Sequence, residues 1–553
     1  MVVLYQFLYS IDPRAPWQGM LTLIILLITV PIFVIYPYLL SQRIAWTIKY
    51  GCIVAVIIVF PLHATFLLDY LHYPNYLDLM EPNIAAVSWL GWEGYPLYPS
   101  LTTGDAYCVP YGPLLYQALG FTLWLIGPSI AASKALGMAA FATTALLSFV
   151  ALRRSGAGVV EALTIAAAQC AVAAGFTSQG YAGGVRSDAI ILLAAQCAVL
   201  TGTATPRVIN AIALGLLGGA LVNLKIHGGL YILPIFIYFI CRSEPTALRG
   251  RLVIVTAIAG LFSFLIPFLP KNVSISSYIE YFQLLSQQGH LVRWIFEKNV
   301  VFALALLAPL AAIFISCGRK LPPWFGPFLI ALCACVFLVT IPASEDGAGP
   351  YHLLPFLPSV CWAFSVMRRE MAARFHGERE TAVRDGVTLA LLVALVFGYG
   401  PMVEISWERS LHYLADSTVV QPGVAEIDRA LDANPGVTLA VGGSAASYAA
   451  RLRVIPVFRG NPLPLDSTAW NALQAMPRVI RECRVGLWLL PANTPLDDDF
   501  LPSDDLATFH AHYTLQKAGQ VFDQWRCTRK QAKLRSGLPG NQGHGREQLS
   551  TDG

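Results

Sequence analysis

Apolar runs separated by short polar punctuation repeat along the chain up to Met402 and then stop. Stretches of roughly 17–25 apolar residues are long enough to cross a bilayer as helices. They fall near 20–40, 50–68, 131–152, 157–178, 186–203, 206–224, 227–241, 252–269, 297–316, 324–341, 353–367 and 386–402. The pattern predicts an α-helical polytopic membrane protein with about twelve transmembrane helices over residues 1–402. The first run is too long for a cleaved leader and is expected to be retained. From Val403 the pattern becomes that of a water-soluble unit. IDRALDANPGVTLAVGGSAASYAARL predicts helix, turn, strand, Gly-rich turn and helix, and RVGLWLLPANTP a buried strand followed by a Pro-rich turn. Residues 403–530 therefore read as a small C-terminal α/β domain, and the polar 531–553 as a disordered tail. The GGSAAS turn suits a phosphate, or simply connects a strand to a helix.

Charge orients these runs. Only 13% of the 553 residues are charged, against about 25% in soluble domains, and mean hydropathy is +0.58. Arg43, Lys49, Arg153, Arg154, Arg242, Arg249, Arg251, Arg319, Lys320, Arg368, Arg369, Arg374, Arg379 and Arg384 fall by alternation in loops on one side. Cytoplasmic loops collect Lys and Arg, so this side is inside. The same alternation puts the 69–130 loop, 175–188, the 223–229 junction, 270–296, 343–352 and everything after Met402 outside. Basic residues confined to short loops argue against a nucleic-acid partner. Pro113–Ile126 is an exception to the alternation and reads as a helix lying at the outer interface.

Eleven Cys are present, and most sit in apolar runs as small hydrophobes. Cys483 and Cys527 are the two that follow the last span, in a region expected to be oxidising, and a disulfide between them is predicted.

The chemistry gathers on the outer face. The 69–130 loop carries Asp69, Asp78, Glu81, Glu93 and Asp105 and no Lys or Arg, among many aromatics. Asp78 and Glu81 share a helix face at i, i+3, and each carboxylate suits a general base, a metal ligand or plain solvation. A divalent metal fits if both ligate, although nothing else in the chain requires one. Pro82 sets the first turn of a helix over PNIAAVSWLGWEG. Lys225, at the end of an apolar run, is costly at membrane depth and marks function or a snorkelling contact. Arg186 and Asp188 stand before another span and suit either a mutual ion pair or a phosphate held by the guanidinium. With His290, Arg293 and His352 they compose an outward ring of cations matched to an anion.

The order Glu81-Pro82, Gly94–Tyr98, Tyr111-Gly112-Pro113-Leu114, Arg186-Ser187-Asp188-Ala189 and Lys225, spread over residues 50–370, resembles the GT-C superfamily. These are integral-membrane glycosyltransferases that use polyprenyl-phosphate-linked sugars. Within it the chain looks most like the protein O-mannosyltransferases and the aminoarabinose transferases that modify lipid A. Many members carry an Asp-Glu pair in the first outer loop, but Met80 precedes Glu81 here. The resemblance therefore implies a base at Glu81, the preferred candidate, or at Asp78 one turn earlier. It implies transfer of a sugar to a lipid or glycan acceptor hydroxyl, with inversion, at the outer face of a bacterial inner membrane. Lys225, Arg186, His290 and Arg293 would bind the donor phosphate, and Asp188, Tyr98, Tyr111 and His352 the rest of the substrate. Trp89, Trp92, Tyr95 and Tyr111 suit sugar stacking, or an interfacial aromatic belt equally well. The rival reading, a transporter or flippase for a lipid-linked sugar, calls for paired half-helices and an internal repeat, and neither is apparent.

Overall fold

The computed structural model of the chain describes residues 80–99, 111–175 and 184–372 with short breaks. It also describes scattered residues between 47 and 76, and parts of 423–441 and 478–528. The expected spans near 20–40 and 386–402, Asp78, Asp105, the GGSAAS turn and the 531–553 tail lie outside the described residues.

Two helices form within the outer loop: α1 (Met80–Trp92), opened by Glu81-Pro82 in its first turn, and α2 (Pro113–Ile126). The bundle follows as α3 (Ile130–Arg154), α4 (Val159–Gly175), α5 (Asp188–Gly202), α6 (Val208–Leu224), α7 (Leu233–Cys241), α8 (Thr246–Leu265), α9 (Ile275–Ser286), α10 (Arg293–Cys317), α11 (Phe325–Thr340) and α12 (Leu357–Ala372). Sequence chemistry sets several of these ends. The Ser129 hydroxyl accepts from the Ala132 N–H at 3.0 Å and starts α3, and Pro113 supplies a preset φ at the start of α2. Among the described residues, three helical segments are long and apolar enough to cross a membrane: Ile130–Arg154, Leu248–Phe268 and Phe325–Ser344.

Two expectations change. The run 227–241 is not one helix. Lys225 is extended, Gly228–Tyr231 forms a 3-10 turn, and α7 is only nine residues long. The Lys-Ile-His-Gly-Gly sequence at this point favours a break over continued helix. The segment 270–296, expected as loop, contains α9, started by the Ser274 hydroxyl accepting from the Ser277 N–H at 3.2 Å.

The helices are held by close backbone approach where lipid provides no hydrophobic force between them. Gly215 and Gly219 lie one turn apart on the α6 face that meets α8. A Cβ at Gly219 would collide with the Gly260 carbonyl, and one at Gly215 with the Thr256 carbonyl. Thr256 and Ser263 donate back across this contact to the Ala211 and Leu216 carbonyls at 3.1 and 2.8 Å.

The two ends of the bundle differ in charge. Arg368 near the end of α12 pairs with Glu161 near the start of α4 at 2.6 Å. Arg369 packs against Gly156 in the α3–α4 turn, and Arg242 after α7 donates to the Thr203 carbonyl after α5 at 3.3 Å. This arginine end and the opposite end of α5 are about 22 Å apart, from 1.5 Å of rise per residue.

In the C-terminal third, β1 (Leu439–Val441), β2 (Leu487–Pro491), β3 (Tyr513–Lys517) and β4 (Phe522–Cys527), with α13 (Ser503–His512), give a mixed sheet of order β1-β2-β4-β3. β1 and β2 are parallel, and β4 runs antiparallel to both its neighbours. VGLWLLP is the buried central strand that its apolar run predicted. Cys483 and Cys527 form a disulfide with Cα atoms 6.0 Å apart. It ties the approach to β2 to the end of β4. Ala86 of α1 joins the apolar cluster of this sheet, alongside Ile427, Trp488 and Phe509.

Gly219→Ala should destabilise the detergent-solubilised protein by about 1–3 kcal/mol or more, because the neighbour it meets is backbone. Gly250→Ala, with open space around it, should be neutral or slightly stabilising in the same thermal unfolding assay. Cys483→Ser should cost about 3–4 kcal/mol for a crosslink separated by 44 residues, and non-reduced peptide mapping of the unaltered protein should find the 483–527 pair.

Candidate functional site

At the end of the bundle opposite the arginines, the first residues of α5 meet the end of α6. Asp188, the first residue of α5, accepts from Lys225 Nζ at 2.6 Å on Oδ1 and faces Arg186 Nε at 3.2 Å with Oδ2. Both cations are more than nine-tenths buried. Burying two like charges together is tolerable only with a carboxylate between them. Tyr351 closes a second side. Its hydroxyl accepts from Arg186 at 2.8 Å, and its ring lies 4.6 Å from the Arg186 guanidinium carbon and 5.2 Å from Lys225 Nζ. The Tyr111 ring stands 6.0 Å from the same ammonium.

The polar environment continues past the triad. His352 Nδ1 is 3.3 Å from His227 Nε2, so one imidazole donates to the other. Burial, and then the Lys225 ammonium, hold His352 well below its ordinary range and keep it neutral. Ser187 Oγ is fully buried and, among the described residues, has no hydrogen-bond partner. It lies between Arg186 and Asp188 at the helix N-terminus, where backbone N–H groups and the macrodipole favour negative charge.

Glu81 braces this turn from α1. Its Oε1 accepts from the Val185 N–H at 2.8 Å and its Oε2 from the Tyr70 hydroxyl at 2.6 Å, and the side chain is fully enclosed. Asp78, its expected partner in a metal pair, lies outside the described residues.

The loop motifs have a structural logic of their own. Asn223, two residues before Lys225, accepts from the Leu114 N–H at 2.8 Å and donates to the Phe264 carbonyl at 3.0 Å. One side chain thus caps α2 and ties α6 to α8. Gly112 is required because a Cβ there would strike the Asn223 carbonyl. Tyr98 donates to the Tyr111 carbonyl at 2.8 Å and is enclosed by Tyr278 and Tyr281 of α9, with ring centroids at 5.2 and 6.1 Å. Gly94–Tyr98 and Tyr111–Leu114 are therefore two halves of one clamp.

Several expected site residues are placed differently. Arg293 is exposed and pairs with Glu297 one turn on at 2.9 Å, and His290 is exposed beside it. Neither takes part in the interactions around Lys225. Alternation of spans fixes which end of the bundle a residue occupies, but not its lateral position. Tyr98, expected to contact substrate, is a buried packing and hydrogen-bonding strut. Trp92 is half-exposed in a trio with Phe121 and Trp124, with centroids 5.7 to 5.8 Å apart. Tyr351 and Asn223 were not anticipated. Asn223 had a signal in the sequence, a lone amide in an apolar helix just before the lysine.

No protein-family model and no curated protein sequence matches the chain. Solved structures do. ArnT from Cupriavidus metallidurans bound to undecaprenyl phosphate superposes with a TM-score of 0.51 at 12% identity, covering 86% of this chain and 98% of that one. The apo form of the same protein gives 0.52 at 12% identity, over 88% and 98%. At this identity the likeness speaks to the fold alone, and the chain shares the helical architecture of those ArnT structures.

Proposed function

We propose that this chain is a membrane glycosyltransferase that moves a sugar from a polyprenyl-phosphate carrier to an acceptor hydroxyl. The observation that carries the reading is the Arg186–Asp188–Lys225 triad at the N-terminus of α5. Within the triad two cations face one carboxylate, which leaves one positive charge in excess. Such a site suits an anion. The ArnT structure with undecaprenyl phosphate on the same fold supports a lipid phosphate as that anion.

In the proposed step the acceptor oxygen bonds to the anomeric carbon from the face opposite the phosphate, while the bond from that carbon to the phosphate oxygen breaks. The acceptor's proton passes to a carboxylate of the first outer loop. Lys225 and Arg186 stabilise charge developing on the departing lipid phosphate. Tyr111 and Tyr351 wall the same space. Glu81, linked to the triad through Val185, is one candidate base, and Asp78 is the other. The proposed location is a bacterial inner membrane, with the triad and the C-terminal domain outside. The arginine end of the bundle favours that orientation under the positive-inside rule, and Ala86 packing on the C-terminal sheet favours a shared side.

Arg186→Ala and Lys225→Ala should each weaken binding of undecaprenyl phosphate by about 10-fold or more, from loss of a charged hydrogen bond. Glu81→Gln and Asp78→Asn separate the base from its neighbour. The true base should lose about 100-fold or more in transfer rate at saturating donor. Wild-type binding and transfer in all four variants would refute the reading.

A further inference from the structure

Lys134 is the fifth residue of α3 and is fully buried, yet it takes no part in the triad. Its Nζ donates to the Tyr70 carbonyl at 2.8 Å and to the Tyr73 carbonyl at 2.7 Å. The rings of Tyr70, Tyr73 and Tyr76 surround it at 4.1, 5.5 and 5.6 Å. A buried cation of this kind costs several kcal/mol unless a carboxylate answers it. The same Tyr70 whose carbonyl holds Lys134 also donates its hydroxyl to Glu81 at 2.6 Å. Glu81 in turn accepts from the Val185 N–H, immediately before Arg186.

We propose that Lys134 is a positioning residue for the anion site. It acts through Tyr70 and Glu81 to fix the Val185–Asp188 turn and hence the aim of the Arg186 guanidinium. The relay runs from α3, through the segment before α1, to the start of α5, without touching the bound anion. The proposal rests on the reading of the triad as a lipid-phosphate site. It implies that Lys134 matters for affinity by way of Glu81 and not as a packing element.

The test is a set of binding measurements with undecaprenyl phosphate on the full-length, detergent-solubilised protein, comparing wild type, Lys134→Met, Lys134→Arg, Tyr70→Phe and Glu81→Gln. Each variant in the segment 70–134 is also combined with Glu81→Gln. Loss of the charge in Lys134→Met should weaken binding about 10-fold, loss of one hydroxyl in Tyr70→Phe about 5-fold, and Lys134→Arg should bind more tightly than Lys134→Met. Neither Lys134→Met nor Tyr70→Phe should weaken binding further once Glu81→Gln is present. A packing role reverses the first ordering, since Met matches the apolar stem and Arg adds volume. Wild-type affinity in Lys134→Met, that reversed ordering, or losses that multiply with Glu81→Gln would each overturn the proposal. If Lys134→Met does not fold, Tyr70→Phe decides by the same coupling criterion. Failure of the wild type itself to bind undecaprenyl phosphate would overturn the phosphate reading, and Lys134's proposed role with it. Wild-type binding with indifferent variants would overturn the role of Lys134 alone.

Discussion

Asp188 lies between two cations that the bundle could not bury without it. Removing one partner of a buried ion pair costs about 3–5 kcal/mol, because the remaining charge is left in a medium that solvates it poorly. Here the arithmetic is sharper, since two positive groups face one carboxylate at 2.6 and 3.2 Å. The arrangement is stable yet still one negative charge short. On the proposed reading this imbalance links fold to function, because cations already held in place suit an anionic ligand with little reorganisation.

The surrounding structure serves to keep those three side chains in place. Asp188 opens α5, so its backbone is fixed by the helix. Lys225 closes α6 in an extended conformation, and the chain turns through the 3-10 segment Gly228–Tyr231 shortly after it. Gly215 and Gly219 let α6 lie against α8, and Asn223 then joins both helices to the capped start of α2. On the other flank, Glu81 holds the Val185 N–H and Tyr351 holds Arg186. Each support uses a polar side chain inside an apolar bundle, where a satisfied hydrogen bond specifies position and an unsatisfied one is costly.

Much of this was legible along the chain, for a physical reason. Apolar runs report burial or lipid contact directly, so the helical membrane architecture, α1 and α2 in the outer loop, and the strand VGLWLLP followed from period and composition. Arg186, Asp188 and Lys225 stood out because charge in an apolar run is expensive. The Cys483–Cys527 link followed from the absence of rivals after the last span. Lateral position was not legible. His290 and Arg293 flank a bridge between Leu291 and Glu345, and both side chains are exposed there, with Arg293 paired to Glu297. Tyr351, Tyr70 and Lys134 were not singled out because a tyrosine or a lysine near a span end is ordinary. The roles of Tyr351 and Lys134 come from tertiary neighbours more than fifty positions away in sequence, and Tyr70 joins Lys134 to Glu81. The functional meaning of Gly112 was likewise hidden, since the carbonyl it must accommodate belongs to Asn223.

The most direct measurement is an experimental structure of the full chain with undecaprenyl phosphate bound. If the charge-deficient triad is the phosphate site, the phosphate oxygens will lie within about 3 Å of Lys225 Nζ and the Arg186 guanidinium, beside Ser187 and the start of α5. A phosphate bound elsewhere, with Arg186, Asp188 and Lys225 unchanged and out of contact with it, would contradict that assignment.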